Sequence, residues 1–209
     1  MKHKIAALVI GINLFSLPGL VSAQFGGLTK SIPGLSSGGD SSISPEGIVK
    51  KYVGGSQSVS SADIKMLRAV GLKDDADRAE LHAKNLTEGA TKDALEEAAK
   101  SQTESSKALE AKLKEGKVDM DAKSKEQFSS GMADLGRGIL QYFGMSKEAS
   151  GFKPGISSIG GSTTSALFVV KTLPESLKNL VSTLKSSVAF AKTNNIPVPK
   201  EAADATSAI

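Results

Sequence analysis

The sequence predicts an all-α protein: a single-domain bundle of about five to seven helices that follows a flexible N-terminal leader. Two observations support this prediction. In several segments apolar residues recur at steps of three and four, the spacing that places side chains on one face of an α-helix. Aromatic residues make up only 4% of the chain and Trp is absent. The core must therefore consist of small and aliphatic side chains, which suit closely packed helices.

Residues 1–23 are predicted to be a signal peptide. Lys2 and Lys4 form a positive start, an apolar run follows over residues 5–15, and small residues precede the expected cleavage site. We expect the mature chain to begin at Gln24 and to be periplasmic or secreted. An uncleaved membrane anchor is the alternative, but the apolar run is about half as long as the ~20 residues that cross a bilayer.

The composition excludes several kinds of chemistry. The chain has no Cys, which rules out disulfides, thiolate metal sites and Cys nucleophiles. Lys and Arg total 26 against 22 Asp and Glu, and two of the lysines lie in the predicted signal peptide. Bases outnumber acids over residues 147–200, whereas acids prevail over residues 74–115. We interpret this asymmetry as attraction within one fold; a basic docking surface is the alternative, and no nucleic-acid partner is expected.

Residues 24–44 are predicted to be the flexible leader, because this Gly- and Ser-rich segment cannot bury enough apolar area to offset its ordering entropy. A short docking motif is the alternative, since four apolar residues of the segment fall at roughly helical spacing. They are Phe25, Leu28, Ile32 and Leu35.

The helical domain is predicted over residues 45–199. Its first helix begins with Ser44 as N-cap and ends at two glycines, Gly54 and Gly55. A second helix is predicted to start at Ser60 or Ser61 with Asp63 in its first turn, to end at Gly71 and to form a hairpin with the first. The longest helical stretch covers residues 74–115, with a break or kink at Gly89 and a new N-cap at Thr91.

Residues 118–143 are predicted to form the central helix, which begins near Asp119 or Asp121. Its apolar stripe is interrupted by Gly131, Gly136 and Gly138, each of which costs about 1 kcal/mol relative to Ala in a helix. We therefore expect neighbouring helices to pack against the bare backbone, in a contact that includes Leu135 and Tyr142. The alternative is a recess at the same residues that holds a small apolar or amphiphilic ligand.

The C-terminal part is predicted to contain a loop over residues 151–161, a short buried helix over residues 166–170 and a last amphipathic helix that Thr172 caps. Residues 196–199 are predicted to be extended, and residues 200–209 to form a peripheral tail. The last helix is interpreted as a core element. The alternative is a membrane-facing helix that presents Lys178, Lys185, Phe190 and Lys192.

Motifs for catalysis and for metal or cofactor binding are incomplete. Residues 155–162 have the glycine spacing of a phosphate-binding loop, but Gly161 stands where its Lys is required. His82 is the single histidine of the mature chain. Residues 182–185 match Ser-x-x-Lys without the companion motifs of that enzyme class. We therefore expect no enzymatic activity, no metal and no cofactor.

The sequence thus predicts an exported, non-enzymatic helical protein that acts through protein–protein or cell-envelope contacts. Its partner is an unidentified protein or an envelope component. Two alternatives remain open: a carrier of a small apolar ligand between helices, and a protein that binds a membrane surface through the last amphipathic helix.

Overall fold

The computed structural model describes residues 44–152 and 160–208, and these residues form six α-helices and no strand. The all-α prediction is thereby confirmed. The predicted signal peptide, almost all of the leader and most of the loop over residues 151–161 lie outside the described residues. The helices are α1 (Pro45–Ala69), α2 (Lys73–Asn85), α3 (Lys92–Leu113), α4 (Ala122–Ala149), α5 (Gly161–Thr193) and α6 (Lys200–Ser207).

Three helices begin where the sequence places an N-cap. The side-chain oxygens of Ser44, Thr91 and Asp121 each accept a hydrogen bond from the backbone amide three residues further on. This contact satisfies one of the amides that a helix start leaves without a partner. Gly71 and Gly116 have positive φ angles after α1 and α3, a conformation that glycine adopts without steric cost.

Helix α1 is continuous, so the predicted break at Gly54 and Gly55 is wrong. Gly55 packs against the ring of Tyr142 on α4, where a Cβ atom would lie 2.4 Å from the Cε1 atom of that ring. Buried residues lie on both sides of the glycine pair, among them Tyr52 and Val59. Packing against α4 therefore outweighs the cost of two glycines, about 1 kcal/mol each.

Helix α5 is also continuous, and the predicted boundary between residues 166–170 and a cap at Thr172 is wrong. Thr172 lies in the helix interior, where its hydroxyl donates to the carbonyl of Phe168 at 2.9 Å. Pro174 is on the exposed side of the helix, while Val169 and Leu173 are buried. Burial of this apolar face therefore keeps the helix continuous at Pro174, although proline lacks an amide donor.

The predicted peripheral tail is in fact helix α6, which packs on α4. Its Ala202 and Ala205 are fully buried. Residues 196–199 lie outside the helices, Pro199 has extended backbone angles, and the buried side chain of Ile196 holds this connection against the core.

The most extensive helix contact is between α1 and α4, which places the predicted central helix in the core. Helix α4 runs two turns beyond the predicted end at residue 143, because Met145 and Ala149 continue its buried face. Within residues 44–152 and 160–208, no helix is long and apolar enough to cross a membrane.

Candidate functional site

Two of the central glycines lie against α1. A Cβ atom placed on Gly131 would be 2.5 Å from Met66 Cγ, and one placed on Gly138 would be 2.6 Å from Val59 Cγ2. Real Cβ atoms do not approach other atoms so closely, so both positions require the absence of a side chain. The two glycines allow α1 and α4 to approach closely.

The third glycine, Gly136, lies against α6. A Cβ atom there would be 2.4 Å from the carbonyl oxygen of Glu201 and 2.8 Å from the amide nitrogen of Ala202. Leu135 and Tyr142, the other residues of this predicted site, are fully buried in the core. Atoms of α1 and α6 fill the space beside the glycines, which leaves no room there for the recess that the carrier alternative requires.

Tyr142 connects three helices. Its ring stacks on that of Tyr52, with centroids 5.2 Å apart and an interplanar angle of 8°. Its hydroxyl lies 2.5 Å from Ser56 Oγ and accepts a hydrogen bond from Gln102 Nε2 at 3.5 Å. Burial raises the pKa of Tyr142 well above its ordinary value, so the hydroxyl is neutral. The arrangement favours a structural contact among α1, α3 and α4.

Asp134 is the centre of an ion-pair network. It accepts hydrogen bonds from Ser61 Oγ and Lys65 Nζ, both at 2.6 Å, and from Arg137. Arg137 also contacts Glu201 on α6 at 3.3 Å. Burial by itself would raise the pKa of Asp134, but the hydrogen bonds outweigh it and lower the pKa. The network joins α1, α4 and α6 beside the glycines.

Asp63 is a buried carboxyl that the sequence indicated only as part of a helix start. It lies in the interior of α1, and its Oδ1 atom has no hydrogen-bond partner among the described residues. Burial raises the pKa of Asp63 well above its ordinary value. The periodicity could have shown this burial, because Asp63 follows the buried Val59 by four residues.

The predicted membrane-facing set on α5 divides into two groups. Lys178, Lys185 and Lys192 are exposed. Phe190 is not: only 5% of it is exposed, and its ring packs on Phe128 with centroids 5.3 Å apart. The prediction for Phe190 is wrong because position 190 lies about 140° around the helix from position 185, on the core side.

A strip of apolar side chains borders the exposed lysines of α5. Leu167 is 45% exposed, and Pro174 is also on the surface. Val170, Leu177 and Val181 are partly buried at the edge of the core. We call Leu167, Val170, Pro174, Leu177, Val181 and the lysines at positions 171, 178, 185 and 192 the outward face of α5.

The lysines of this face have no acidic partner among the residues that the structure describes. Within the described ranges, none of the four is in a salt bridge, whereas eight lysines on other helices are. The single acidic residue of α5 is Glu175. The sequence identified three of these lysines, but it could not show that the bundle would leave them unpaired.

A cleft of about 600 Å³ lies where the N-terminal ends of α1, α3 and α5 meet. Its lining includes Val49, Thr91 and Ser165, together with the carboxylates of Glu46 and Asp93. The sequence did not predict it. The described residues contain no group of three or more His, Asp or Glu side chains that could hold a metal ion, there or elsewhere.

Comparisons with protein-family models, curated proteins and solved structures give no match for this chain. Its function must therefore be inferred from its own surfaces.

Proposed function

We propose that the protein is an exported, non-enzymatic helical module that acts through contacts with another protein or with the cell envelope. We assign these contacts to the outward face of α5. The observation that carries the proposal is the combination, on one exposed helix face, of an apolar strip and four lysines that form no salt bridge with any described residue.

The apolar part of the face supports a binding role. In the described part of the chain, Leu81 and Leu167 are the exposed large hydrophobic residues. Leu81 projects from a polar helix, whereas Leu167 continues into a row of partly exposed apolar side chains. Contiguous apolar surface with a polar border is typical of interaction sites, whereas single exposed residues are common on any protein.

The buried polar groups support a non-enzymatic role. Tyr142 and Asp134 hold helices together through contacts with Ser56, Lys65 and Arg137. A group that acts on a substrate must reach it, yet Tyr142 is fully buried and the Asp134 carboxylate is occupied by three donors. These groups are better suited to stability than to chemistry.

The proposed contact surface can be tested by site-specific photo-crosslinking in the cells that produce the protein. A photoreactive residue at Leu167 or Val181 is expected to give one defined crosslinked species, either with a partner protein or with a membrane lipid. The same residue at Leu81, which is 62% exposed on α2, serves as the control. Equal crosslinking from α2 and α5, or none from α5, would contradict the proposal.

Export can be tested separately by mass spectrometry of the protein recovered outside the cytoplasm. The expected N-terminal residue is Gln24. An exported chain that retains Met1 would contradict cleavage of the predicted signal peptide.

A further inference from the structure

We infer that the outward face of α5 docks on an anionic lipid bilayer, an inference that rests on the contact role proposed above for this face. The lysine row supplies the attraction to the headgroups, and the apolar strip beside it enters the interface.

The lysines are arranged as a straight row. Positions 171, 178, 185 and 192 are seven residues apart, and seven residues turn an α-helix about 20° short of two full turns. The four ammonium groups therefore project in nearly the same direction over about 30 Å of helix. All four side chains are exposed and none is in a salt bridge within the described ranges.

The apolar strip runs parallel to this row. At 100° per residue, Val170, Pro174, Leu177 and Val181 fall within a sector of about 60°, and Leu167 joins it to the lysines. Leu167 and Pro174 are exposed, so these two would enter the bilayer first. An apolar strip beside basic residues, both parallel to the helix axis, is the pattern of helices that lie in a membrane interface.

The lysine row is better suited to binding a negatively charged membrane surface than to binding a specific acidic protein. Every basic residue of α5 is Lys and none is Arg. Arg is preferred where a specific carboxylate is gripped by two parallel hydrogen bonds, whereas Lys acts as a point charge that tolerates many headgroup positions. The apolar stems of the lysines also allow the charge to reach the headgroups while the helix lies deeper.

Two other occupants fit the face less well. A second copy of the chain would bring lysine row against lysine row, and like charges across an interface oppose association. Residues 24–43 of the same chain contain apolar side chains but only Lys30 and Asp40 as charges. That segment cannot neutralise four lysines, whereas a bilayer with anionic lipids can.

The test is flotation of the chain from Gln24 with vesicles of phosphatidylcholine containing about 30% phosphatidylglycerol, compared with phosphatidylcholine alone. Binding is expected only to the anionic vesicles. It should fall at least tenfold in about 0.5 M salt, because screening weakens exposed charges.

The decisive variant replaces all four lysines of the row with Gln. Each lysine near an anionic surface contributes about fivefold in partitioning, which corresponds to ~1 kcal/mol, so a variant that loses all four should bind about 600-fold more weakly. The matched control removes the same charge from exposed lysines that are in no salt bridge and lie outside α5: K73Q, K114Q, K117Q and K123Q. This control should bind within about threefold of the parent.

A third variant, L167S, keeps every charge and should weaken binding about tenfold, because Leu167 is the most exposed apolar residue of the strip. Circular dichroism confirms that each variant remains helical. Equal losses in the two lysine variants would show that net charge alone drives binding and would overturn the assignment to α5. If the folded parent protein does not bind anionic vesicles, the inference that α5 docks on a bilayer is wrong.

The two proposals fail separately. If vesicles are not bound but Leu167 crosslinks to an acidic protein, the contact role of the face stands and the bilayer inference fails. If neither vesicles nor crosslinked species are found, the contact role fails with it.

Discussion

Replacing Gly136 with Ala should push α6 away from α4. The new Cβ atom would lie 2.4 Å from the carbonyl oxygen of Glu201, 2.6 Å from its carbonyl carbon and 2.8 Å from the amide nitrogen of Ala202. All three are backbone atoms, so no side chain can rotate aside. To restore ordinary contact distances, α6 must move by about 1 Å as a unit.

Two opposing effects determine the magnitude. Ala gains about 1 kcal/mol over Gly in a helix interior, whereas overpacking costs about 1–3 kcal/mol. The cost of overpacking cannot exceed the free energy with which α6 docks on α4. If compressing the contact cost more than that, α6 would detach instead. The buried methyl groups of Ala202 and Ala205 contribute about 0.8 kcal/mol each to that docking. The difference between the two effects is a loss of up to about 2 kcal/mol in the free energy of unfolding, so we expect Gly136→Ala to destabilise the protein within that limit.

The measurement is urea denaturation, with Gly144→Ala as the control. Gly144 lies on the same helix, is exposed, and has no atom within 4 Å of the position of its Cβ. Gly144→Ala should therefore stabilise the protein by up to about 1 kcal/mol. Both substitutions are then repeated in a chain that ends at Val198 and so lacks α6. There Gly136→Ala should change sign and stabilise the protein as the control does.

Either of two results would refute this reasoning. If Gly136→Ala stabilises the full chain as much as Gly144→Ala does, α6 does not rest on the bare backbone of α4. If Gly136→Ala still destabilises the shortened chain, the clash involves an element other than α6. Hydrogen exchange of the α6 amides distinguishes a shifted helix from a detached one.

Three further substitutions test the buried polar groups by urea unfolding between about pH 3 and pH 8. Burial raises the pKa of Asp63 above its ordinary 3.8, so the free energy of unfolding should fall as pH rises above that value, by up to about 1.4 kcal/mol per pH unit. Asp63→Asn should remove this slope and raise stability at pH 7, and an unchanged slope would contradict the burial of Asp63. Asp134 has a lowered pKa, so the stability that its carboxylate contributes is present above pH 3.8 and is lost as pH falls through the pKa of the folded state. Asp134→Asn should lower the free energy of unfolding by about 1–3 kcal/mol at pH 7, and an unchanged value would mean that Lys65 does not stabilise the Asp134 carboxylate. Tyr142→Phe keeps the stacked ring but removes the hydroxyl beside Ser56; we expect a loss of about 1–2 kcal/mol, and an equally stable variant would refute that contact.

Three of the helix starts could be predicted from the sequence because their signals are local, whereas the predicted start at Thr172 lies inside α5. Ser44, Thr91 and Asp121 cap their helices through an amide only three residues away. Each contact is complete within one turn, so the distant chain has little influence on it. The central apolar stripe was predictable for a related reason: Phe128, Met132, Leu135 and Ile139 recur at helical spacing, and all four are fully buried. Phe143, which continues the same spacing, is only partly buried.

The glycines could not be interpreted locally, because a glycine in an apolar pattern can end a helix or admit a neighbour. Gly55 does the second, and the residue that decides it, Tyr142, is far away in the sequence. The small, polar composition of residues 200–207 gave no indication of burial for the same reason. Only Ala202 and Ala205 of this segment are buried, and Gly136 leaves space for the backbone at Glu201 and Ala202.

The candidate site was predicted in part. Helical spacing placed Lys178, Lys185 and Lys192 together on the polar side, and they are exposed. Spacing alone could not decide which apolar residues of α5 face the core, since the helix carries apolar side chains on both flanks. The core selects the flank with Phe190, which packs on Phe128, and leaves Leu167 outside.

The pairing of α1 with α4 also determines how this chain must fold. Ser56 and Tyr142 are 86 residues apart in the sequence, and α2 and α3 form the intervening segment. Contacts between distant residues form slowly, because the loop must close before the contact stabilises anything. While the ribosome makes α2 and α3, the apolar face of α1 lacks α4, the helix with which it makes its most extensive contact. The bundle therefore acquires its stability late, and an N-terminal fragment that ends before α4 should remain unfolded.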